Sequence, residues 1–227
     1  MNSDEIFTFL YNNIDIRMYM PYKNDYIMNF IKRYHKFWEK GQLEFVSKFI
    51  TSNSTVLDCG AYIGNHTIYF SKILNCKKVI AIEPQRNIYQ ILCENIKINN
   101  INNARCINCG LYYDRNYRLF IKEQQSTNYG ATRYDACREG GSVDCLTLDD
   151  FNDIDFLKID CEGMAYEILV GGTIFFNKNK PVIWLEMNPE YKDELYHEFV
   201  QPLNFLMDLG YKLGYKLSAY DYIYIKD

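Results

Sequence analysis

Residues 56–67 read VLDCGAYIGNHT. A short apolar run ends in Asp58, Gly60 and Gly64 permit a tight turn, and polar residues then open a helix. Glycine lets a backbone approach a ligand closely, and a helix start offers free N–H groups. The spacing is D-x-G-x-x-x-G, so the G-x-G-x-x-G loop that cradles a pyrophosphate is absent. A carboxylate at the loop repels phosphate and attracts an ammonium. The residues therefore favour a ligand with an α-amino-acid end, such as S-adenosyl-L-methionine. Candidate cofactor contacts here are Asp58, Cys59, Gly60, Ala61, Tyr62, Gly64, Asn65 and Thr67.

Outward from this loop, short apolar runs alternate with longer amphipathic ones. Strands are expected over residues 55–59, 78–82, 104–108, 155–160 and 181–187, and helices over 65–74, 85–99, 164–176 and 190–209. TVLDC, KVIAIE, FLKID and VIWLEM are apolar nearly throughout, as strands buried on both faces are. Their alternation with helices implies right-handed crossovers and an α/β, doubly wound, mostly parallel sheet. The end of the chain, YKLGYKLSAYDYIYIKD, reads as closing antiparallel strands. Residues 1–50 are expected to form a helical N-terminal extension broken at Pro21, and 51–227 the sheet domain. Residues 117–123 read as an extra strand and 124–142 as an inserted loop, long enough to be functional or mobile.

Three further strand ends carry chemistry. In VIAIEPQ, residues 79–85, Glu83 closes the second strand before Pro84, where a carboxylate accepts both hydroxyl protons of a ribose. In DFLKIDCEGMAYEILVGG, residues 155–172, Asp160 and Glu162 lie two apart and share a direction on extended backbone. Such a pair suits deprotonation of a hydroxyl nucleophile, a divalent cation with water, or a helix cap. In PVIWLEMNPE, residues 181–190, Glu186 is costly to bury without a partner and is a candidate substrate contact. His66 is a further candidate base. The inserted loop holds Tyr129, Arg133, Tyr134 and Arg138, and aromatic faces and guanidinium forks suit sugars or anions. Tyr129 and Arg133 are its candidate substrate contacts.

Taken in order, these motifs resemble the FkbM family of S-adenosylmethionine-dependent methyltransferases over roughly residues 36–190. The family's "DVGANIGYYT" loop is matched by Asp58, Gly60, Ala61, Ile63, Gly64 and Thr67, with Tyr62 and His66 departing. Its "KIDVEGAE" motif is matched by Lys158, Ile159, Asp160, Glu162 and Gly163, with Met164 and Tyr166 departing. Its upstream "YEP"-like motif corresponds to Phe37-Trp38-Glu39, and Asn128-Tyr129-Gly130-Ala131 resembles a family loop beside the substrate. The resemblance implies a class I, Rossmann-like methyltransferase fold and O-methylation of a sugar or other small-molecule hydroxyl. It implies a methionine end held by the glycine loop and a ribose held by Glu83. Asn108 and Cys109 would lie near adenine, Glu39 over the cofactor, and Asp160 and Glu162 toward the methyl and acceptor as catalytic residues. Aligning acceptor, methyl and sulfur is the protein's main task.

Composition narrows the partners. The chain has 227 residues, 48% hydrophobic and 24% charged, with net charge −4 and pI near 5.5. That balance supports a packed core and leads to the expectation of no nucleic-acid partner. No apolar run is long enough to span a membrane, and no signal peptide is read, so a cytoplasmic location is expected. Self-association is left open. The eight cysteines sit largely in strand-like runs and are expected to be reduced thiols. Cys106 and Cys109 form a C-x-x-C without the further ligands zinc requires, so no metal is expected.

Overall fold

The computed structural model describes residues 5–187 and 200–226. The chain opens with strands β1 (Ile6–Tyr11) and β2 (Ile14–Tyr19), followed by helices α1 (Tyr26–Tyr34) and α2 (Lys40–Val46). Next come β3 (Thr55–Cys59), α3 (Asn65–Ile68), β4 (Lys78–Ile82), α4 (Arg86–Ile98) and β5 (Ala104–Ile107). A lateral region holds β6 (Gly110–Leu111), β7 (Arg118–Gln125), β8 (Asn128–Cys137) and β9 (Val143–Leu146). The chain then returns through β10 (Phe156–Ile159), α5 (Ala165–Val170), α6 (Thr173–Lys178) and β11 (Val182–Glu186). It ends with α7 (Gln201–Asp208), β12 (Lys212–Lys216) and β13 (Asp221–Ile225).

The central sheet has the order β12-β13-β11-β10-β3-β4-β5. Strands β11, β10, β3, β4 and β5 are parallel, and β13 runs antiparallel to both β11 and β12. This is the Rossmann-like α/β sheet expected from the apolar runs. All five residues of β3 and all four of β10 are buried. Alternate side chains feed two cores. Val56, Val79, Phe156 and Trp184 face the N-terminal hairpin, α1, α2 and α4, while Leu57, Ile80, Leu157 and Ile183 face α5, α6 and α7. The chain order reverses between β3 and β10, and the crevice beyond their carboxyl ends is where such sheets bind ligands.

Two expected segments differ. The first fifty residues begin with an antiparallel hairpin rather than helix. Its turn is Asn12-Asn13, both at positive φ (48° and 64°), a pair suited to a two-residue turn between strands. Asn95 on α4 and Asn99, which caps its end one turn later, satisfy the outer edge of β2. Asn99 accepts from Arg17 N at 3.1 Å and donates to Arg17 O at 2.6 Å, and Asn95 makes the matching pair with the Tyr19 backbone. The inserted loop is also ordered strand, with β7 and β8 paired antiparallel. Its alternation escapes a sequence pattern because β7 is exposed on nearly every residue.

Smaller differences concern the helices. The helix expected over 164–176 is split at Gly171-Gly172, where a Cβ on Gly171 would lie 2.5 Å from the Tyr112 carbonyl oxygen. Of the helix expected over 190–209, residues 190–199 lie outside the described residues. All eight cysteines are free thiols. No helix among the described residues is long and apolar enough to cross a membrane.

Candidate functional site

The glycine loop is held by the ends of three strands. Gly60 (φ +79°) passes so close to β10 that an added Cβ would lie 1.8 Å from the Asp160 carbonyl oxygen. Gly60 N and Ala61 N donate to Ile82 O at 3.1 and 2.9 Å, stitching the loop to β4. Buried Glu83 accepts from Tyr62 N at 2.9 Å and Gln85 N at 2.8 Å. Burial raises its carboxyl to about 7, against the lowering effect of those two bonds. Asn108 donates to the carbonyls of Glu83 and Pro84 at 2.8 and 3.0 Å and fixes this corner from β5.

Beneath the loop lies an ionic cluster centred on Lys158, whose side chain is 1% exposed. Its Nζ donates to Asp160 Oδ2 at 2.8 Å and lies 3.8 Å from Asp58 Oδ1. Burial alone lowers a lysine pKa, but Asp160 and Asp58 outweigh it and hold Lys158 charged. Asp58 also accepts from Thr67 Oγ1 at 2.6 Å. Burial pushes the Asp160 carboxyl up, yet Lys158 and a hydrogen bond with Glu186 hold it at about 2. Glu186 is its complement, raised well above the carboxylate range by burial and by Asp160. At neutral pH Glu186 is thus the protonated donor and Asp160 the charged acceptor.

Glu39 and His66 form a second pair. Glu39 sits in the left-handed region (φ 54°), with Oε2 3.0 Å from His66 Nε2. Asn65 clamps this segment, accepting from Trp38 N at 3.0 Å and donating to Trp38 O at 3.1 Å. Burial, then the Asp160 charge, raises the Glu39 carboxyl to about 7. Burial, then Lys158, lowers His66 to about 4, so His66 is neutral at pH 7.

These groups meet at one cavity of about 570 Å³. Of the expected cofactor contacts, Glu39, Gly60, Ala61, Tyr62, Asn65, Glu83, Pro84 and Cys109 line it. So do the expected catalytic residues His66, Asp160 and Glu162, and the expected substrate contact Glu186. Asp58, Cys59, Gly64, Thr67 and Asn108 are not among the lining residues. Asp58 is fully buried and partnered by Thr67 and Lys158, so it supports the loop from below rather than meeting a ligand's ammonium. Tyr129 and Arg133 are not lining residues either. The Tyr129 ring stacks on Tyr22 at 4.5 Å, and its carbonyl accepts from Gln85 Nε2 at 2.8 Å, so it places β8.

Asp221, Tyr26 and Phe30 line the cavity too and went unmarked in the sequence, whereas Trp38 and Tyr134 had been noted there. Asp221 accepts from Trp184 Nε1 at 2.8 Å and Ser218 Oγ at 2.6 Å, and burial raises its carboxyl. Tyr26, Phe30 and Trp38 form an aromatic rim, and Tyr134 reaches in from β8. Asp160, Glu162 and Glu186 each offer a carboxylate oxygen within 4.8 Å of the others. Lys158 had been noticed only as matching a motif.

A family model described as the methyltransferase FkbM domain matches residues 58–213. Among curated proteins, the tRNA(Phe) (4-demethylwyosine(37)-C(7)) aminocarboxypropyltransferase of Methanocaldococcus jannaschii is 42% identical over 70 residues, which is 30% of this chain and 28% of that protein. Among solved structures, a methyltransferase FkbM from Methylobacillus flagellatus KT superposes with TM-score 0.57 at 18% identity, covering 88% of this chain and 52% of that one. A precorrin-6y C5,15-methyltransferase from Geobacter metallireducens GS-15 gives TM-score 0.52 at 19% identity, covering 85% and 92%. The structural likenesses speak for the fold. The chain spans about half the length of the FkbM structure and under a third of the curated relative. That relative is a tRNA-modifying enzyme, which overturns the expectation of no nucleic-acid partner. The exclusion had rested on net charge, a sum over all faces that is blind to any one of them.

Proposed function

The chain belongs to the FkbM methyltransferase family, and on that premise we propose that it methylates a hydroxyl of a sugar or other small molecule. Its cofactor is S-adenosyl-L-methionine. The observation that supports the reading is one cavity walled by two separate sets of groups. Glu83 and the loop from Gly60 to Tyr62 stand beside β4, while Glu186 ends β11. With β3 and β10 between them, these strands are roughly 14 Å apart at the usual strand spacing. That leaves room for a donor on the β3–β4 side and an acceptor on the β10–β11 side.

The residues present fit the donor. Gly60 carries no side chain where the backbone must come close, and Ala61 adds only a methyl. Each Glu83 oxygen accepts one backbone N–H and keeps a lone pair for a ribose hydroxyl. Ile82, Leu111, Met164 and Ile168 give apolar walls for a base. S-adenosyl-L-methionine supplies a methyl on a cationic sulfonium, and a wall bearing Asp160, Glu162 and Glu39 suits that charge.

For the acceptor, Glu39 is the base we assign. A general base works best with a pKa near the working pH, and Glu39 titrates at about 7 on the cavity wall. Neutral His66 stands beside it, its Nε2 3.0 Å from Glu39 Oε2. Asp160, held at about 2, is too weak a base and instead carries fixed negative charge. Glu162 lines the same cavity and is the alternative base. The deciding experiment measures methyl transfer to a panel of saccharides, small hydroxyl compounds and tRNA, with calorimetric binding of S-adenosylhomocysteine alongside. Transfer to saccharide hydroxyls, lost in Glu39→Gln with the product still bound, supports the assignment. Transfer to tRNA alone, or no cofactor heat, overturns it.

A further inference from the structure

The rim of the cavity continues outward as a track of rings. Tyr26, Phe30 and Tyr34 recur every fourth residue on α1 and so share one helix face. Trp38 packs edge-on between the first two, its ring 5.6 Å from Tyr26 and 4.9 Å from Phe30. Phe30 and Tyr34 lie 4.7 Å apart. Tyr26, Phe30 and Trp38 line the cavity, whereas Tyr34 lies beyond it. Tyr26 is 57% and Tyr34 51% exposed.

Two cations accompany the outer rings. Arg33 lies 5.4 Å from the Tyr34 centroid, and Lys36 lies 5.3 Å from that of Phe30 and 5.5 Å from that of Tyr34. Neither forms an ion pair among the described residues. The inner wall has the opposite character, with Glu39, Glu186 and Asp221 as hydrogen-bonding carboxyls. The track therefore runs from hydrogen-bonding carboxyls, across aromatic rings, to positive charge.

We propose that α1 forms a second acceptor subsite, in which an acidic oligosaccharide lays ring faces on Tyr26 and Tyr34 and places a carboxylate or phosphate against Arg33 and Lys36. Stacking on open aromatic faces and forked pairing with an anion are each suited to such a chain. Two cations match an isolated anionic group, whereas single-stranded nucleic acid calls for a continuous cationic groove along its backbone. The subsite rests on the methyl-transfer reading only for the direction in which the acceptor enters.

The test compares calorimetric binding of tetragalacturonate, maltotetraose and a four-nucleotide RNA, for the unaltered protein and for Tyr34→Ala and the double substitution Arg33→Ser with Lys36→Ser. All three altered side chains lie outside the cavity lining. S-adenosylhomocysteine binding, measured for each, reports separately on the fold and the cofactor site. The expected result is tetragalacturonate at least tenfold tighter than maltotetraose, with that advantage lost in the double substitution, tetragalacturonate binding weakened in Tyr34→Ala, and S-adenosylhomocysteine unaffected. Equal binding of the two saccharides, preference for the RNA, or indifference to the substitutions overturns the subsite. Loss of S-adenosylhomocysteine binding by the unaltered protein would instead overturn the methyl-transfer reading.

Discussion

The proposed base Glu39 and the buried Lys158 are the single side chains on which the reading of the site turns. Glu39→Gln is expected to cut turnover by about 10²–10⁴-fold with cofactor affinity unchanged. If Glu39 is the base, turnover of the unaltered protein is expected to rise with pH through about 7, and the substitution to remove that ascending limb. A pH–rate profile of both proteins checks this. Lys158→Met leaves buried Asp58 and partly exposed Asp160 without a counter-charge, at a cost of about 3–5 kcal/mol. Asp160 then binds a proton more readily folded than unfolded, so the deficit in urea titrations grows from pH 5 to pH 8. The native protein has a pH signature too. Glu39 and Glu83 are raised from 4.5 to about 7, so the folded state keeps protons that the unfolded state has released, and stability falls across that window. His66, lowered from 6.5 to about 4, acts in the opposite sense between those values. Glu186 and Asp221 are raised as well, so four carboxyls against one histidine predict a melting temperature lower at pH 7.5 than at pH 5, with Glu83→Gln reducing the drop.

Among the elements, the glycine loop and the N-terminal hairpin depend on contacts of different kinds. At Gly60 an added methyl meets the rigid backbone of β10, while at Gly64 it meets only Leu92 Cδ1, at 2.8 Å. Both glycines have positive φ, so both alanine variants are strained. Gly60→Ala is expected to abolish S-adenosylhomocysteine binding, whereas Gly64→Ala weakens it; calorimetry separates the two. The hairpin hangs on the amides of Asn95 and Asn99, both buried. Asn95→Ala strands the Tyr19 backbone groups and is expected to cost about 1–3 kcal/mol in thermal denaturation.

Across the molecule, Asp25 joins parts of the chain that are remote in sequence. Its Oδ1 accepts from Met28 N at 2.9 Å and caps α1, and its Oδ2 accepts from Tyr129 N at 3.0 Å on β8. Tyr26 N donates to Thr127 O at 2.7 Å beside it. Asp25 therefore fastens the aromatic rim to the β7–β8 hairpin across the cavity mouth. Asp25→Ala is expected to raise amide exchange in residues 26–30 and 127–131 together, with the central strands unchanged. Exchange confined to α1 would show that the aspartate is only a helix cap.

The sheet was legible because parallel strands buried on both faces must be apolar along their whole length, and TVLDC, KVIAI, FLKI and VIWLE are. The strand ends were legible for the same reason, since an acid after such a run has few places to lie except the crevice. The N-terminal hairpin was legible in principle, from Asn12-Asn13 between alternating runs. The exposed β7 had no apolar rhythm to reveal it. That Gly60, Glu83, Asp160 and Glu186 line one cavity was readable, but proton ownership was not. Asp58 and Glu83 each end a buried strand before a turn, yet one faces Lys158 beneath the loop and the other the cavity. The amino-acid order thus determined the sheet, its turning loop and the row of strand-end carboxyls. Folding alone decided which carboxyl is charged and which is neutral. A carboxyl's pKa follows desolvation and neighbouring charge, and the neighbours that matter, such as Glu186 for Asp160 and Asp160 for Glu39, are brought together only when the strands and helices pack.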